Sequence, residues 1–207
     1  MWSEDEIKAK MGKVHCMDCM DFMVNIPDNY FDLICCDPPY GIGISSNPIR
    51  QKHAQKDWDS FAPDKAIFDE IFRISKNQII WGSNYFELPP SKCFLVWDKK
   101  QPYDFSLAMC ELAYCSIDYP AKMYSHANRG DENKKHPSQK PLKLMEFCLD
   151  FARSREDIKT VFDPFMGSGT TAVACQSLGL DWCGCELDPE YVAIANKRLE
   201  KVQGSLF

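Results

Sequence analysis

The chain carries an almost unbroken apolar run, FDLICC at Phe31–Cys36, which stops at Asp37-Pro38-Pro39-Tyr40. A strand that is apolar on both faces belongs inside a parallel sheet covered by helices, because a strand with one wet face would alternate. Two prolines then forbid further pairing, since each lacks an N–H and fixes φ. This one segment commits the chain to an α/β architecture and puts a carboxylate at the end of a central strand.

The remaining segments follow that lead. Residues 14–17 are a short apolar run ending at Asp18, and 19–26 read as a short helix closed by Pro27-Asp28-Asn29. Asp64 is placed to cap a helix over 64–76, with Ile67, Ile71 and Ile74 on one face. Residues 78–81, 93–97 and 112–117 read as strands, the last near a hairpin. Pro141 suits the first position of a helix to 153. Residues 160–162 form a strand ending at Asp163, and Gly167-Ser168-Gly169 leads into a helix to 178 that Gly179 closes. Residues 182–185 form a strand ending at Glu186, and Asp188-Pro189 opens a last helix with Tyr191, Ile194, Ala195 and Leu199 at helical spacing. The alternation predicts one α/β domain with a mainly parallel sheet. The polar stretch 41–63 is longer than most connections in compact domains and is expected to be functional.

Composition narrows the class. A chain of 207 residues, 45% hydrophobic and 26% charged, fits one globular domain and excludes a disordered tail or a collagen-like chain. No apolar stretch approaches the roughly 18–20 residues that cross a bilayer. The start, MWSEDEIKAKMGK, lacks the apolar core of a secretion signal, so a cytoplasmic protein with no membrane partner is expected. The 11 cysteines are then expected to be reduced. Cys16-x-x-Cys19 invites a zinc or redox reading, but no second pair accompanies it. Cys35, Cys36, Cys183 and Cys185 lie in strand-like runs, so buried small hydrophobes are expected and no metal.

The acids carry the chemistry. Asp18, Asp37, Asp163 and Glu186 each end a strand, and in an open parallel sheet ligands bind beyond the carboxyl ends of the strands. Any one of them could simply cap a helix; four together point to one shared cleft. The glycine turn allows close backbone approach to a ligand at a helix N-terminus. As a bare G-x-G-x-x-A it also suits a nicotinamide cofactor, and Glu186 stands where a ribose-binding acid is expected in either case. Asp163 separates the two readings: it would repel a pyrophosphate and hold an ammonium. Asp37-Pro38-Pro39-Tyr40 sets a carboxylate, a rigid carbonyl and an aromatic face side by side. The amine of adenine or cytosine is a poor nucleophile because its lone pair is delocalised. Two acceptors, the Asp37 carboxylate and the Pro38 carbonyl, would hold both amine protons and free that lone pair, in a geometry the prolines set in advance. Tyr40 could stack on an extruded base. The competing reading is a plain turn after a strand.

Taken together these segments resemble the S-adenosylmethionine-dependent amino-group DNA methyltransferases of the beta class. DPPY followed by FDPFMGSGTT is that family's permuted order, His136-Pro-Ser-Gln-Lys-Pro141 resembles its N-terminal cofactor motif, Met17-Asp18-Cys19 its short strand-end motif, and Cys185-Glu186-Leu-Asp188 its ribose motif. The resemblance implies a Rossmann-like sheet of seven strands with one reversed. It implies a single domain over 1–207, with a catalytic half at about 14–124, a basic linker at about 125–140 and a cofactor-binding half at about 141–202. The cofactor implied is S-adenosyl-L-methionine. Asp163 with Phe165, Gly167, Ser168, Gly169 and Thr170 would hold its methionine part, Ser138 and Lys140 would meet its carboxylate, Glu186 would bind the ribose hydroxyls, and Asp18 the cofactor's adenine. Asp37, Pro38, Pro39 and Tyr40 would form the catalytic pocket. The reaction implied is methyl transfer to N6 of a flipped adenine in DNA. Cytosine N4 is the alternative, since an Asp in this motif accompanies adenine only as a tendency. A non-catalytic subunit and a nicotinamide oxidoreductase are the rivals from other classes, and RNA or a protein amide would suit the same pocket.

One departure stands out. The family's usual target-recognition region is replaced by residues 125–135, so the chain reads as a small form. Sequence reading would have to come from the 41–63 loop, the basic segment or a second subunit, whether a homodimer or a restriction-system partner, or be absent altogether. The net charge of −6 argues against a nucleic-acid partner at first sight. Yet residues 120–143 hold six Lys or Arg against Asp131 and Glu132, a local +4 that leaves −10 elsewhere. Arg50, Lys52, Lys56, Lys122, Arg129, Lys134 and Lys135 are the candidates for DNA phosphates, with Trp58 as a wedge or a lid residue. A solvated loop is the plainer alternative.

Overall fold

The computed structural model describes residues 1–41, 62–103, 108–127 and 139–203. Ser138 and the basic candidates Arg50, Lys52, Lys56, Arg129, Lys134 and Lys135, with Trp58, lie outside the described residues. FDLICC forms β2 (Phe31–Cys36), with all six residues buried, as its two apolar faces demand. Leu33 and Cys35 enter one core and Ile34 and Cys36 the other. Asp32 is the strand's polar member, and it is satisfied: it accepts from Lys159 N–H, Thr160 N–H and the Thr160 hydroxyl, each at 3.0 Å, and pairs with Lys76 at 2.7 Å. It thereby fastens β2 to the start of β7 (Thr160–Asp163).

Around β2 the sheet holds β1 (Val14–Cys16), β3 (Ser75–Trp81), β4 (Cys93–Asp98), β5 (Cys110–Cys115), β6 (Lys122–Ser125) and β8 (Asp181–Glu186). The order is β1-β8-β7-β2-β3-β5-β4-β6. Every pairing is parallel except the two made by β5, so one strand is reversed. The sheet has eight strands among the described residues, not the seven implied by the resemblance. Helices α4 (Leu142–Arg153), α5 (Thr170–Ser177) and α6 (Pro189–Gln203) cover one face, and α1 (Glu4–Lys8), α2 (Cys19–Met23) and α3 (Lys65–Ile74) the other. From β2 the chain builds outward one way and from β7 the other, so the topological switch point lies between them, above Asp37 and Asp163.

Four local readings are corrected. The helix expected to run to 76 ends at Ile74, because Ser75 turns straight into β3 while its hydroxyl bonds the Ile71 carbonyl at 2.6 Å. Residues 122–125, inside the basic stretch 120–143, form strand β6; at the sheet edge it is mostly exposed and shows no apolar alternation. Helix α1 was not anticipated, as it buries only Ile7; its legible sign is the reciprocal cap between Ser3 and Glu6. Pro141 is the N-cap of α4, one place before the position expected. Nine of the 11 cysteines are buried, and only Cys16 and Cys110 are exposed. Burial pushes the Cys19 thiol up to about 12, the opposite of the lowered thiol that a redox CxxC needs.

Candidate active site

The four strand-end acids share one cleft. Asp18 after β1, Asp37 after β2, Asp163 ending β7 and Glu186 ending β8 all line a cavity of about 300 Å³, together with Phe165, Gly167, Ser168 and Thr170 of the glycine turn. Met17, Ile67, Met145, Leu187 and Tyr191 supply apolar walls. Three of the acids also do the local work that strand-to-helix turns require. Asp18 receives the Met20 N–H at 2.7 Å as the cap of α2. Asp163 receives Phe165 N–H at 2.9 Å. Glu186 receives Gly167 N–H and Asp188 N–H, one on each oxygen, both at 2.8 Å. Capping and cleft-lining are thus not alternatives here: the cap bonds fix the carboxylates that face the cleft.

The turn itself depends on close packing. Gly184 in β8 lies against Met166 and Asp163; a Cβ there would come within 2.3 Å of Met166 Cε and 2.4 Å of the Asp163 carbonyl oxygen. Gly169 has φ +82°, and a Cβ on it would meet Ala195 at 2.7 Å. Arg198, one helical turn past Ala195, donates to the Ser168 carbonyl at 2.6 Å and to the Ser168 and Thr170 hydroxyls at 3.0 Å. Sequence reasoning missed Arg198. Its sign was a guanidinium on the same helical face as Tyr191 and Ala195.

Electrostatically this end of the cleft is one-sided. No lysine or arginine pairs with Asp18, Asp163 or Glu186 among the described residues. Burial, with Asp37 and Glu186 adding repulsion, pushes Asp163 up to about 7 against the pull of its hydrogen bonds from Thr171 and Phe165. Burial raises Glu186 as well. Such a site gains most from a cation, which removes both the repulsion and the penalty of a bare buried carboxylate.

The Asp37 end is different. Asp37 Oδ1 accepts the Tyr40 hydroxyl at 2.7 Å and lies 2.7 Å from Lys140 Nζ. Lys140, whose side chain is only 7% exposed, also lies 2.9 Å from Glu111 Oε2 and donates to the Tyr40 oxygen at 3.0 Å. Glu111 in turn pairs with Lys99. Burial, aided by Glu111, pushes the Asp37 carboxyl above the usual range even though Lys140 pulls it down. Burial also acts on Glu111, but the ammonium groups of Lys140 and Lys99 outweigh it and hold that carboxyl at about 2. Tyr40 stacks on Tyr85 at 4.9 Å and meets Phe86 edge-on. Gly82 makes room for it, since a Cβ there would fall 2.1 Å from the Tyr40 ring. Pro39 lines the cleft, and Pro38 is buried beside it.

Lys140, which the resemblance assigned to the cofactor carboxylate, thus stands on Asp37. Lys122 lies away from the cleft: it sits over the Tyr119 ring, in a groove against α4 with Lys143 and Arg155. Glu111 and Lys99 carried no local sign; only the pairing of β5 with β3 and β4 brings them in.

Comparison with known proteins places this geometry. A family described as DNA methylase, of the N6/N4 type, matches residues 80–197, more than half of the chain. The type II methyltransferase M2.DpnII of Streptococcus pneumoniae is 44% identical over 246 residues, covering 93% of this chain and 91% of its own. The crystal structure of the M1.HpyAVI complex with S-adenosylmethionine is similar with a TM-score of 0.57 at 21% identity, over 90% of this chain and 98% of that one. The PvuII DNA methyltransferase, cytosine-N4-specific, is similar with a TM-score of 0.60 at 15% identity, over 94% and 93%. The last two share the fold.

Proposed function

The chain belongs to the N6/N4 DNA methylase family, and on that premise we propose that it moves the methyl group of S-adenosylmethionine to N6 of an adenine flipped out of DNA. The observation that carries this reading is the meeting, at the switch point of the sheet, of a cation-seeking carboxylate cluster with Asp37 and its two prolines.

The residues fit the cofactor. Asp163 would hold its ammonium, Glu186 would accept from its ribose hydroxyls, and the apolar walls near Asp18 would take its adenine. Bound there, the cofactor would supply an electrophilic methyl on a cationic sulfur, which keeps the carbon–sulfur bonding pair and leaves as a neutral thioether. The chain does the rest. Asp37 and the Pro38 carbonyl would accept hydrogen bonds from the two N–H groups of the base amine, which directs the nitrogen lone pair at the methyl. Once methylated, that nitrogen is strongly acidic, and Asp37, already raised by burial, takes the proton. Tyr40 is the aromatic side chain beside Asp37 against which the base would stack. The backbone phosphates fall to the basic segment around residues 120–143.

Adenine is preferred over cytosine because Asp, rather than Ser, precedes the two prolines. Cytosine N4 is the second reading, because an exocyclic amine of the same planarity meets the same two acceptors. Mass spectrometry of nucleosides from DNA treated with the protein and S-adenosylmethionine distinguishes them. N6-methyladenine is expected; N4-methylcytosine alone would overturn the choice of base, and no methylated nucleoside would overturn the activity.

A further inference from the structure

Lys140 is shared between two carboxylates at nearly equal distance, 2.7 Å to Asp37 and 2.9 Å to Glu111. We propose that Glu111 is the alternate seat of the Lys140 ammonium, which gives up Asp37 and stays on Glu111 when a base amine reaches Asp37. Glu111 and Lys140 are then positioning residues for the catalytic acid, and the inference rests on the methyl-transfer reading.

The argument begins with acceptor capacity. Asp37 Oδ1 already receives the Tyr40 hydroxyl and the Lys140 ammonium, and a carboxylate oxygen offers about two lone-pair sites. An amine that needs that oxygen must displace a donor. Displacing a buried ammonium into an apolar wall would leave a bare charge, among the most costly events in a protein interior. Glu111 removes that obstacle, because Lys140 keeps one partner throughout. Charge stays balanced as well: two carboxylates, Asp37 and Glu111, face two ammonium groups, Lys140 and Lys99, before and after the shift.

The scaffold suits a short movement. Lys140 Nζ lies between the rings of Tyr40, 5.5 Å away, and Trp81, 5.8 Å away, whose faces tolerate a cation. Glu111 is held by strand β5 and by Lys99, so the seat does not move. Glu111, held at about 2, stays ionised and does not compete for the proton that Asp37 takes. The groups facing Asp37 are Lys140, Tyr40 and Glu111, with Asp163 beyond; those facing Lys140 are Asp37, Tyr40 and Glu111.

The test follows the Asp37 carboxyl by NMR in full-length protein labelled with [γ-13C]aspartate, the signal being assigned with Asp37→Asn. Glu111→Gln removes the alternate seat and a nearby like charge, so the Asp37 midpoint falls by about one pH unit, and Lys140→Met raises it by about one to three units. In parallel, Glu111→Gln slows methylation of DNA by about ten- to a hundredfold with S-adenosylmethionine affinity unchanged. Midpoints that stay put or move the same way in both variants overturn the proposal, as does a Glu111→Gln protein that methylates at the wild-type rate. Should Lys140→Met not fold, Lys99→Met reads the chain from its outer end: Glu111 then draws Lys140 away and the Asp37 midpoint rises. Wild-type protein that methylates no DNA overturns the methyl-transfer reading and the base-driven step with it, whereas opposite midpoint shifts would still show the ammonium shared, so the two failures look different.

Discussion

The two ends of the cleft are built on the same plan, but one carries unbalanced negative charge and the other is charge-balanced. Each places an acid at a strand end beside a tight turn. At the Asp163 and Glu186 end the acids are met only by backbone N–H groups and a hydroxyl, and burial raises both. At the Asp37 end a lysine, a tyrosine and a second ion pair close on the carboxylate. Among the described residues the first end has no cation on its acids, whereas the second already holds Lys140 and Lys99. On the proposed reading the cationic methyl donor sits at the first. A neutral amine, which must find an ionised acceptor, belongs at the second.

Breaking the first end is expected to have the largest effect on cofactor binding. Asp163→Asn removes the charge that answers the ammonium and weakens S-adenosylmethionine binding by about a hundredfold, read by calorimetry. The same variant stabilises the ligand-free protein. The folded-state carboxyl titrates near 7 against an ordinary value of 3.8, so the fold holds a proton that the unfolded chain has released, and wild-type stability falls as pH rises through that window. The melting temperature of Asp163→Asn should therefore exceed wild type above pH 7 and match it below about pH 4.

Smaller changes sharpen the contrast. Glu186→Gln keeps one acceptor for the two N–H donors of Gly167 and Asp188 and should weaken the cofactor by about tenfold. Binding to wild type should release a proton below pH 7, seen as a buffer-dependent heat, with affinity rising toward pH 7 and flattening above it. The smallest effect is expected outside both ends. Lys122→Ala, in the groove against α4, should leave cofactor affinity unchanged and alter DNA binding, measured across a salt series, by no more than about one unit of slope.

The parts legible beforehand are those whose cause is local. FDLICC had to be a central strand, and the prolines had to end it. The four acids were readable as one cleft because parallel strands deliver their carboxyl ends to the same side. Glu111 was not readable: it sits in a strand whose neighbours are chosen by the reversed pairing of β5, and nothing within a few residues marks it. Lys140 was legible as a cleft residue but its pairing with Asp37 and Glu111 was not, because motif order says which segment reaches the cleft and not which carboxylate its side chain meets. Gly82 was missed for the same reason: its need to be glycine comes from Tyr40, 42 residues earlier in the chain. Contacts between distant segments decide the Asp37 end, whereas the other adds to them the local bonds of its strand-to-helix turns.

The division of labour between the ends is tested most directly on Asp37→Ala, with methyl transfer to DNA measured in a single turnover after the cofactor is bound. The account predicts cofactor affinity within about threefold of wild type and transfer lower by about a thousandfold or more. Transfer near the wild-type rate, or cofactor binding lost along with it, would contradict it.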